Sequence, residues 1–178
     1  MKKSTQVAVG GLASALCLLL MFLTGMIPFT TYALPAMAGI VLIAVVIENG
    51  TQTAALVYVS VSLLSLFLSP DKEAALMFLC FFGYYPVIKA KLEQIRPKLL
   101  ELLAKYGIFN LAIIATYWVI IYVLGLPDIL EELGELGKYS IAILLGMGNL
   151  VFFLYDRALT NLVTFYVRWF RVKVLRKI

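Results

Sequence analysis

The sequence predicts an all-α, polytopic membrane protein built as a six-transmembrane-helix bundle. Of its 178 residues, 63% are hydrophobic and 14% are charged, and the mean hydropathy is +0.99. An ordinary soluble domain is about 25% charged. The apolar residues form runs, the first of about 20 residues, which is the length that crosses a hydrocarbon core of about 30 Å. Polar turns separate the runs, and Lys and Arg collect in alternate turns.

The first three runs predict helices 1 to 3. A short basic segment precedes residues 7–26, an apolar run longer than the core of a signal peptide, so it is interpreted as a retained helix. A loop over 27–35 contains helix-breaking and interfacial residues. Helix 2 has its core at 36–47, and helix 3 spans 52–68 after a polar turn.

The next region predicts two spans with an interfacial helix between them. Helix 4 covers 74–88, and Ser69 or Asp71 is expected to cap its start. Apolar residues then recur at helical spacing opposite charged ones, which predicts an amphipathic helix lying in the membrane interface over about 91–105. Helix 5 follows at 108–124.

The last span, which begins near Tyr139 or Ser140, has two possible ends. In one interpretation it stops at Tyr155, and a basic amphipathic tail follows. In the other, one long helix continues to Val167 and places Asp156 and Arg157 at membrane depth, where the charges need partners. The mostly apolar stretch 149–167 favours the long helix, with a basic C-terminal end at 168–178.

The charge pattern predicts the orientation of a single domain over 1–178. With six spans, thirteen of the fifteen Lys and Arg residues share one side with both termini, and six of the ten acidic residues lie on the other. The positive-inside rule then places the N and C termini in the cytoplasm of a cell, expected to be prokaryotic. The net charge of +5 is thus a topological signal. We expect contact with the lipid bilayer and no nucleic-acid partner.

The composition argues against catalysis. The chain has no histidine, the residue used most often for general acid–base chemistry and in zinc sites. It has no Gly-rich phosphate loop, so it is not expected to hydrolyse ATP. Cys17 and Cys80 lie in separate apolar runs and are interpreted as small hydrophobic residues. We therefore expect no enzyme, no metal site and no cofactor.

Polar and aromatic residues collect on the predicted outer side, in the loops at 30–32, 71–73 and 128–139 and on the last two spans. They could line an outward-facing ligand site. Tyr and Trp also form interfacial belts without any ligand, and an amide in mid-span commonly bonds a neighbouring helix. The candidate ligand-binding residues are Thr31, Tyr32, Lys72, Tyr117, Trp118, Tyr122 and Asn149.

Helix 1 is rich in small residues. Gly11 and Ala15 have the spacing that lets two helix backbones approach closely. This face could pack against helices of the same chain, or it could dock another membrane subunit. The candidate docking residues are Ala8, Gly11 and Ala15.

These features resemble a known family. The size, the six helices, the opening Lys2-Lys3 with the small-residue helix at 7–16, and Gly148-Asn149-Leu150 in the last span are similar to the substrate-binding S component of energy-coupling-factor transporters. The resemblance implies capture of a vitamin or micronutrient from outside, and helix 1 docking on a transmembrane coupling protein driven by two ATPases. It implies docking by Gly11 and Ala15, and ligand contacts from Thr31, Lys72, Trp118 and Asn149.

A second hypothesis comes from another class of protein. A non-enzymatic structural or regulatory membrane scaffold, such as a partner of envelope-building machinery, would share the small size and the six spans. It would bind other membrane proteins and no nutrient. An outward-facing pocket and the role of helix 1 separate the two hypotheses.

Overall fold

The computed structural model describes residues 3–122 and 140–170, with side-chain surroundings for 3–122 and 145–169. Every regular element within these ranges is helical, which confirms the all-α class. The chain divides into two compact units, Met1–Leu126 and Pro127–Ile178, and each is described by itself. The expectation of a single domain over 1–178 stays a prediction.

Three helices form the centre of the first unit: α1 (Lys3–Leu23), α2 (Ala33–Asn49) and α3 (Thr51–Leu68). Gly50 alone connects α2 to α3. Its φ of 86° is a left-handed conformation that glycine adopts without a steric penalty, and its N–H donates to the Val46 carbonyl at 3.1 Å. One glycine therefore ends α2 and begins the next helix.

The core of this unit uses small residues at the helix contacts. Lipid tails are as apolar as leucine, so helices in a membrane associate through close packing, which small side chains permit. At least one alanine from each of α1, α2, α3 and the following helix is buried, and larger side chains fill the space between these alanines. The core consists of Ala13, Cys17, Met21, Ala38, Leu42, Val45, Ala54, Val57, Val61, Ala74, Ala75, Phe78 and Val87.

The fourth span is a helix interrupted at its middle. It begins as α4 (Lys72–Met77), widens into a π-helical turn at Phe78–Phe82, and resumes as α5 (Tyr85–Leu92). Asp71 caps its start, because a carboxylate oxygen accepts from the Ala74 N–H at 3.0 Å. This confirms Asp71 as one of the two expected caps.

A tyrosine from α3 stabilises the π-helical turn. The Tyr58 hydroxyl donates to the Leu79 carbonyl at 2.7 Å, in a segment where the helical hydrogen-bond ladder changes register. The ring approaches Gly83 so closely that a Cβ there would lie 2.5 Å from a Tyr58 ring carbon and 2.9 Å from Phe78. Glycine at 83 is therefore required by the position of the Tyr58 ring.

The predicted interfacial helix at 91–105 is not a separate element, and this expectation is corrected. The helix α5 ends at Leu92, and α6 (Lys98–Tyr122) begins directly after Pro97 and continues without a break. Proline is favoured at a helix start and disfavoured inside, which explains the boundary. The helix α6 continues through Gly107, so most of the predicted amphipathic segment and the predicted helix 5 form one continuous helix. The leucines of its first turns stay exposed: Leu99, Leu100, Leu102 and Leu103.

An ion-pair network joins the end of α5 to the start of α6. Lys89 lies 2.6 Å from a Glu93 carboxylate oxygen, and Lys105 lies 3.5 Å from the same oxygen and 2.8 Å from Glu101. Both lysines are buried, at 4% and 5% exposure. Buried charges persist in proteins when they are paired and hydrogen-bonded, so Lys105 is accommodated inside α6 and does not end it.

In the second unit, α7 (Ser140–Phe165) is one long helix that ends in a π-helical turn at Tyr166–Phe170. It passes through Asp156 and Arg157 without interruption, as in the long-helix interpretation. Asp156 is half-buried and Arg157 is exposed. Their depth in a membrane stays a prediction, and the predicted loop at 126–139 and most of the basic end at 168–178 lie outside the described residues.

Five described helical segments are long and apolar enough to cross a membrane: Lys3–Leu23, Thr51–Leu68, Lys72–Leu92, Lys98–Tyr122 and Leu145–Trp169. The remaining predicted span is α2, the second helix of the chain, which is an apolar helix of 17 residues. Helices shorter than a bilayer are accommodated by local thinning of the lipid. The fold is therefore that of a helical membrane protein, as the hydropathy predicted.

The Gly83 contact predicts a specific loss of stability. Gly83→Ala forces the Tyr58 ring away from its position, and overpacking of this kind costs about 1–3 kcal/mol. Gly107→Ala is the matched control, because a Cβ at Gly107 meets nothing within 4 Å. Thermal unfolding in detergent should show a loss for the first variant and no loss for the second. Equal melting temperatures would contradict the assigned role of Gly83.

The ion-pair network predicts different outcomes for two lysines on α5. Lys89→Gln removes a buried partner of Glu93, and breaking a buried, partly solvated pair is expected to cost about 1–3 kcal/mol. Lys91 is exposed, so Lys91→Gln should change stability by no more than about 0.5 kcal/mol. Denaturant unfolding in mixed micelles measures both. A loss shared equally by the two variants would assign the effect to charge number and not to the network.

Candidate ligand-binding site

Two polar segments meet at one end of the first unit: the loop between α1 and α2, and the turn between α3 and α4. The buried hydroxyls of Thr24 and Ser69 both contact the Met21 carbonyl, at 2.7 and 2.9 Å. Gly25 lies against Pro70 with no space for a Cβ between them. These contacts hold the loop that carries Tyr32 beside the turn that carries Glu73.

Tyr32, Glu73 and Tyr117 form a hydrogen-bonded cluster from three separate elements. The Tyr32 hydroxyl donates to a Glu73 carboxylate oxygen at 2.5 Å, and the Tyr32 and Tyr117 hydroxyl oxygens are 3.1 Å apart. Because the single hydroxyl proton of Tyr32 goes to Glu73, Tyr117 is the donor in the second bond. The cluster is a directed chain in which each phenol donates toward the carboxylate.

The electrostatics of the cluster keep the Tyr32 hydroxyl protonated. Partial burial raises the pKa of Tyr32 well above its ordinary value, and the hydrogen bonds to Glu73 and Tyr117 raise it further. A neutral phenol donates to a carboxylate without cancelling its charge. Tyr32 therefore orients the Glu73 carboxylate.

The two residues before Glu73 have structural roles. Asp71 caps α4, and the Lys72 ammonium donates to the carbonyls of Leu66 and Ser69, at 2.9 and 3.0 Å. Lys72 thereby satisfies carbonyls at the C-terminal end of α3, which a helix leaves without intrahelical partners. The structure gives Lys72 this role, and its predicted ligand contact stays a prediction.

The other predicted ligand residues occupy varied positions. Trp118 and Tyr122 form an exposed ring pair on α6, with centroids 5.6 Å apart. Thr31 is half-buried beside Tyr32 in the chain. Asn149 belongs to the second unit, where its amide donates to the Leu145 carbonyl at 2.7 Å. Of the seven candidates, the structure joins Tyr32 to Tyr117.

Glu73 is the residue of this cluster that the sequence did not indicate, and Phe29 in the neighbouring loop has an unexpected backbone conformation. Glu73 was noted as an acidic residue of a loop, and no local pattern pairs it with Tyr32, 41 positions earlier. Phe29 has a left-handed backbone with φ of 65° and a fully exposed ring. Such a conformation is uncommon for a residue other than glycine. Pro28, directly before Phe29, is the local sequence feature that indicates a turn at this position.

The structure distinguishes two faces of α1. The buried face consists of Gly10, Ala13, Cys17 and Met21, whereas Ala8, Gly11 and Ala15 are exposed. Within the described residues, a Cβ at Gly11 would meet no atom within 4 Å, while one at Gly10 would contact Val57 at 3.6 Å. The small residues of the buried face pack inside the unit, and Gly11 does not. A docking role for Ala8, Gly11 and Ala15 stays a prediction.

Metal-binding groups and similar proteins add no further assignment. Among residues 3–122 and 140–170, no group of three or more His, Cys, Asp or Glu side chains is arranged to hold a metal ion. No family model, curated protein or solved structure is significantly similar to this chain. The functional argument therefore depends on the residues themselves.

The hydroxyl chain predicts energetic coupling between its two tyrosines. Tyr117→Phe removes the bond to Tyr32, whereas Tyr32→Phe removes that bond and the bond to Glu73. Each bond lost is expected to cost about 0.5–1.5 kcal/mol. The double variant should cost less than the sum, because Tyr117 donates to Tyr32. A double-mutant cycle by thermal unfolding in detergent measures the difference, with Tyr122→Phe as the exposed control. Strict additivity would contradict the bond between the two hydroxyls.

Proposed function

We propose that this chain is the membrane-embedded substrate-binding subunit of an uptake transporter, similar to the S component of energy-coupling-factor systems. It captures a small micronutrient at the outer face of the cell membrane and performs no catalysis itself. A separate transmembrane coupling protein with two ATPases drives the transport cycle. In this proposal both termini are cytoplasmic, and the six apolar helices all cross the bilayer.

The observation that carries the proposal is the Tyr32–Glu73–Tyr117 cluster. There the Tyr32 hydroxyl, from the loop before α2, is bonded both to Glu73 in the first turn of α4 and to Tyr117 of α6. Ligand sites in helical membrane proteins have this composition, with a few placed polar groups among aromatic and apolar surfaces. An ionisable residue within a transmembrane segment is a functional-site hypothesis by default, and Glu73 lies in the first turn of the candidate span Lys72–Leu92.

The distribution of charge supports an outward-facing cluster. The fourth span runs from Glu73 at one end to Lys89 and Glu93 at the other, with no charged residue over 74–88. The far end also carries basic residues of the α5–α6 turn, which the positive-inside rule assigns to the cytoplasm. By that rule, the Glu73 end faces outside.

The two faces of α1 support a membrane partner. One face packs in the unit, and the other exposes Ala8, Gly11 and Ala15 beside apolar side chains such as Leu12. Small residues at this spacing let a second helix approach closely. This arrangement suits docking of a coupling protein, and it also suits the scaffold hypothesis.

Co-purification from the native membrane tests the proposal. A tagged wild-type chain in mild detergent should recover a transmembrane protein and two ATPases, identified by mass spectrometry. Gly11→Leu should reduce that recovery at least about tenfold, because the added side chain separates the two helix backbones. Ala115→Leu is the matched control: Ala115 is an exposed small residue on α6, and its replacement should leave recovery unchanged.

The other outcomes are informative. Recovery of envelope-building proteins without ATPases would replace the transporter by the scaffold. Equal loss of partners in both leucine variants would remove α1 as the docking face. The melting temperature of each purified variant shows whether the monomer is still folded, so a folding defect is not mistaken for loss of docking.

A further inference from the structure

The turn between α5 and α6 separates its basic residues into two groups. Lys89 and Lys105 are buried, and both pair with the carboxylate of Glu93. Three other basic side chains of the turn are exposed: Lys91, Arg96 and Lys98. Within residues 3–122 and 140–170, no ion pair holds these three side chains. The carboxylate of the turn therefore serves the buried lysines, and the exposed cations have no such partner in the described part of the chain.

Backbone hydrogen bonds keep the exposed cations close together. The Gln94 N–H donates to the Lys91 carbonyl at 3.2 Å, and the Leu100 N–H donates to the Pro97 carbonyl at 3.0 Å. The segment 91–98 is thus a tight connection between two candidate spans, Lys72–Leu92 and Lys98–Tyr122. All three exposed cations lie in this connection.

The exposed surface of α6 places the connection at the edge of the bilayer. From Leu99 to Tyr122, no exposed residue carries a charge. Lys105 does not interrupt this apolar surface, because it is buried and paired. The stretch is one residue shorter than the 25-residue helix and measures about 36 Å, enough to cross a hydrocarbon core of about 30 Å with some tilt. The apolar surface ends at Lys98, which therefore lies at the level of the lipid headgroups.

We propose that the α5–α6 turn binds the headgroup of an anionic phospholipid. Lys91, Arg96 and Lys98 contact the phosphate, and the acyl chains lie along the exposed leucines at the start of α6. These leucines are Leu99, Leu100, Leu102 and Leu103. The inference does not depend on the proposed function, because a transport subunit and a scaffold would both contain such a site.

The charges of the turn and of the lipid are complementary. An arginine guanidinium forms paired hydrogen bonds to phosphate oxygens, and a lysine ammonium binds phosphate as a point charge. Basic groups between membrane helices on the cytoplasmic side bind anionic headgroups, and the positive-inside rule assigns this turn to that side. A zwitterionic headgroup carries its own ammonium beside the phosphate, so these cations attract it less strongly.

The exposed leucines distinguish a lipid from a soluble phosphate compound. All four follow Lys98 within the first turns of α6, so the cationic surface continues directly into an apolar one. A soluble anion would use the cations and leave the leucines without a contact. A phospholipid matches both parts of the surface, because its phosphate and its acyl chains are joined in the same order.

Native mass spectrometry of the full chain in detergent micelles tests the proposal. The protein is titrated with equal amounts of phosphatidylglycerol and phosphatidylethanolamine that have the same acyl chains. Each basic residue near a headgroup strengthens its binding about fivefold, so the first bound lipid should be phosphatidylglycerol by at least about tenfold. An equal distribution of the two lipids on the wild-type chain overturns the proposal.

Two triple variants with the same net charge locate the site. The turn variant combines Lys91→Gln, Arg96→Gln and Lys98→Gln, and it should lower the lipid preference to less than about twofold. The control variant removes three cations from the basic C-terminal end: Arg171→Gln, Lys173→Gln and Arg176→Gln. The control should keep the wild-type preference. Equal losses in both variants, or a loss in the control alone, overturn the proposal. Melting temperatures verify that each variant is folded.

Two further measurements exclude other occupants of the surface. Glycerophosphoglycerol has the headgroup of phosphatidylglycerol without its acyl chains, and a large excess should not displace the bound lipid. Displacement would assign the turn to a soluble anion and overturn the proposal. Co-purification from the native membrane examines a protein partner. If the turn variant loses a protein partner while its lipid preference is unchanged, the surface belongs to that protein and the proposal is wrong.

Discussion

A chain in lipid must satisfy its backbone polar groups within the protein, because the hydrocarbon supplies no hydrogen-bond partners. At three places where the first unit interrupts, ends or begins a helix, a side chain bonds a backbone group. Tyr58 bonds the carbonyl of Leu79 in the π-helical turn, Lys72 bonds the end of α3, and Asp71 bonds the start of α4. These bonds also fix the position of the candidate site, because Asp71 and Lys72 directly precede Glu73 in the chain.

The same constraint acts on polar side chains inside the helices. Many of them donate to the carbonyl four residues earlier in their own helix, so polarity in mid-span does not by itself indicate a ligand contact. Tyr32 differs, because it lies directly before the first residue of α2 and bonds side chains across elements. The side chains that donate to a carbonyl four residues earlier in the same helix include Ser14, Asn110, Thr116, Asn149, Thr160 and Thr164.

Hydropathy and turn chemistry predicted most of the helices, since each depends on a local stretch of sequence. The predicted start of the fifth span, at residue 108, was wrong, since α6 begins at Lys98. A buried and paired Lys105 has the same sequence signature as an exposed lysine on an interfacial helix. The inward face of α1 could not be predicted either. Gly10 and Gly11 are adjacent and chemically identical, and only the neighbouring α3 distinguishes them. Glu73 was missed for the same reason: its partner is distant in sequence.

The two ends of the fourth span differ in the groups that hold their lysines. At the α5–α6 end, Lys89 and Lys105 are buried and pair with carboxylate oxygens. At the other end, Lys72 is exposed and donates to two backbone carbonyls, and Glu73 accepts from the Tyr32 hydroxyl. A buried charge needs a partner within the protein, whereas an exposed ammonium is also stabilised by solvent. The first end is therefore a structural ion-pair network, and the second end is where side chains from three elements meet.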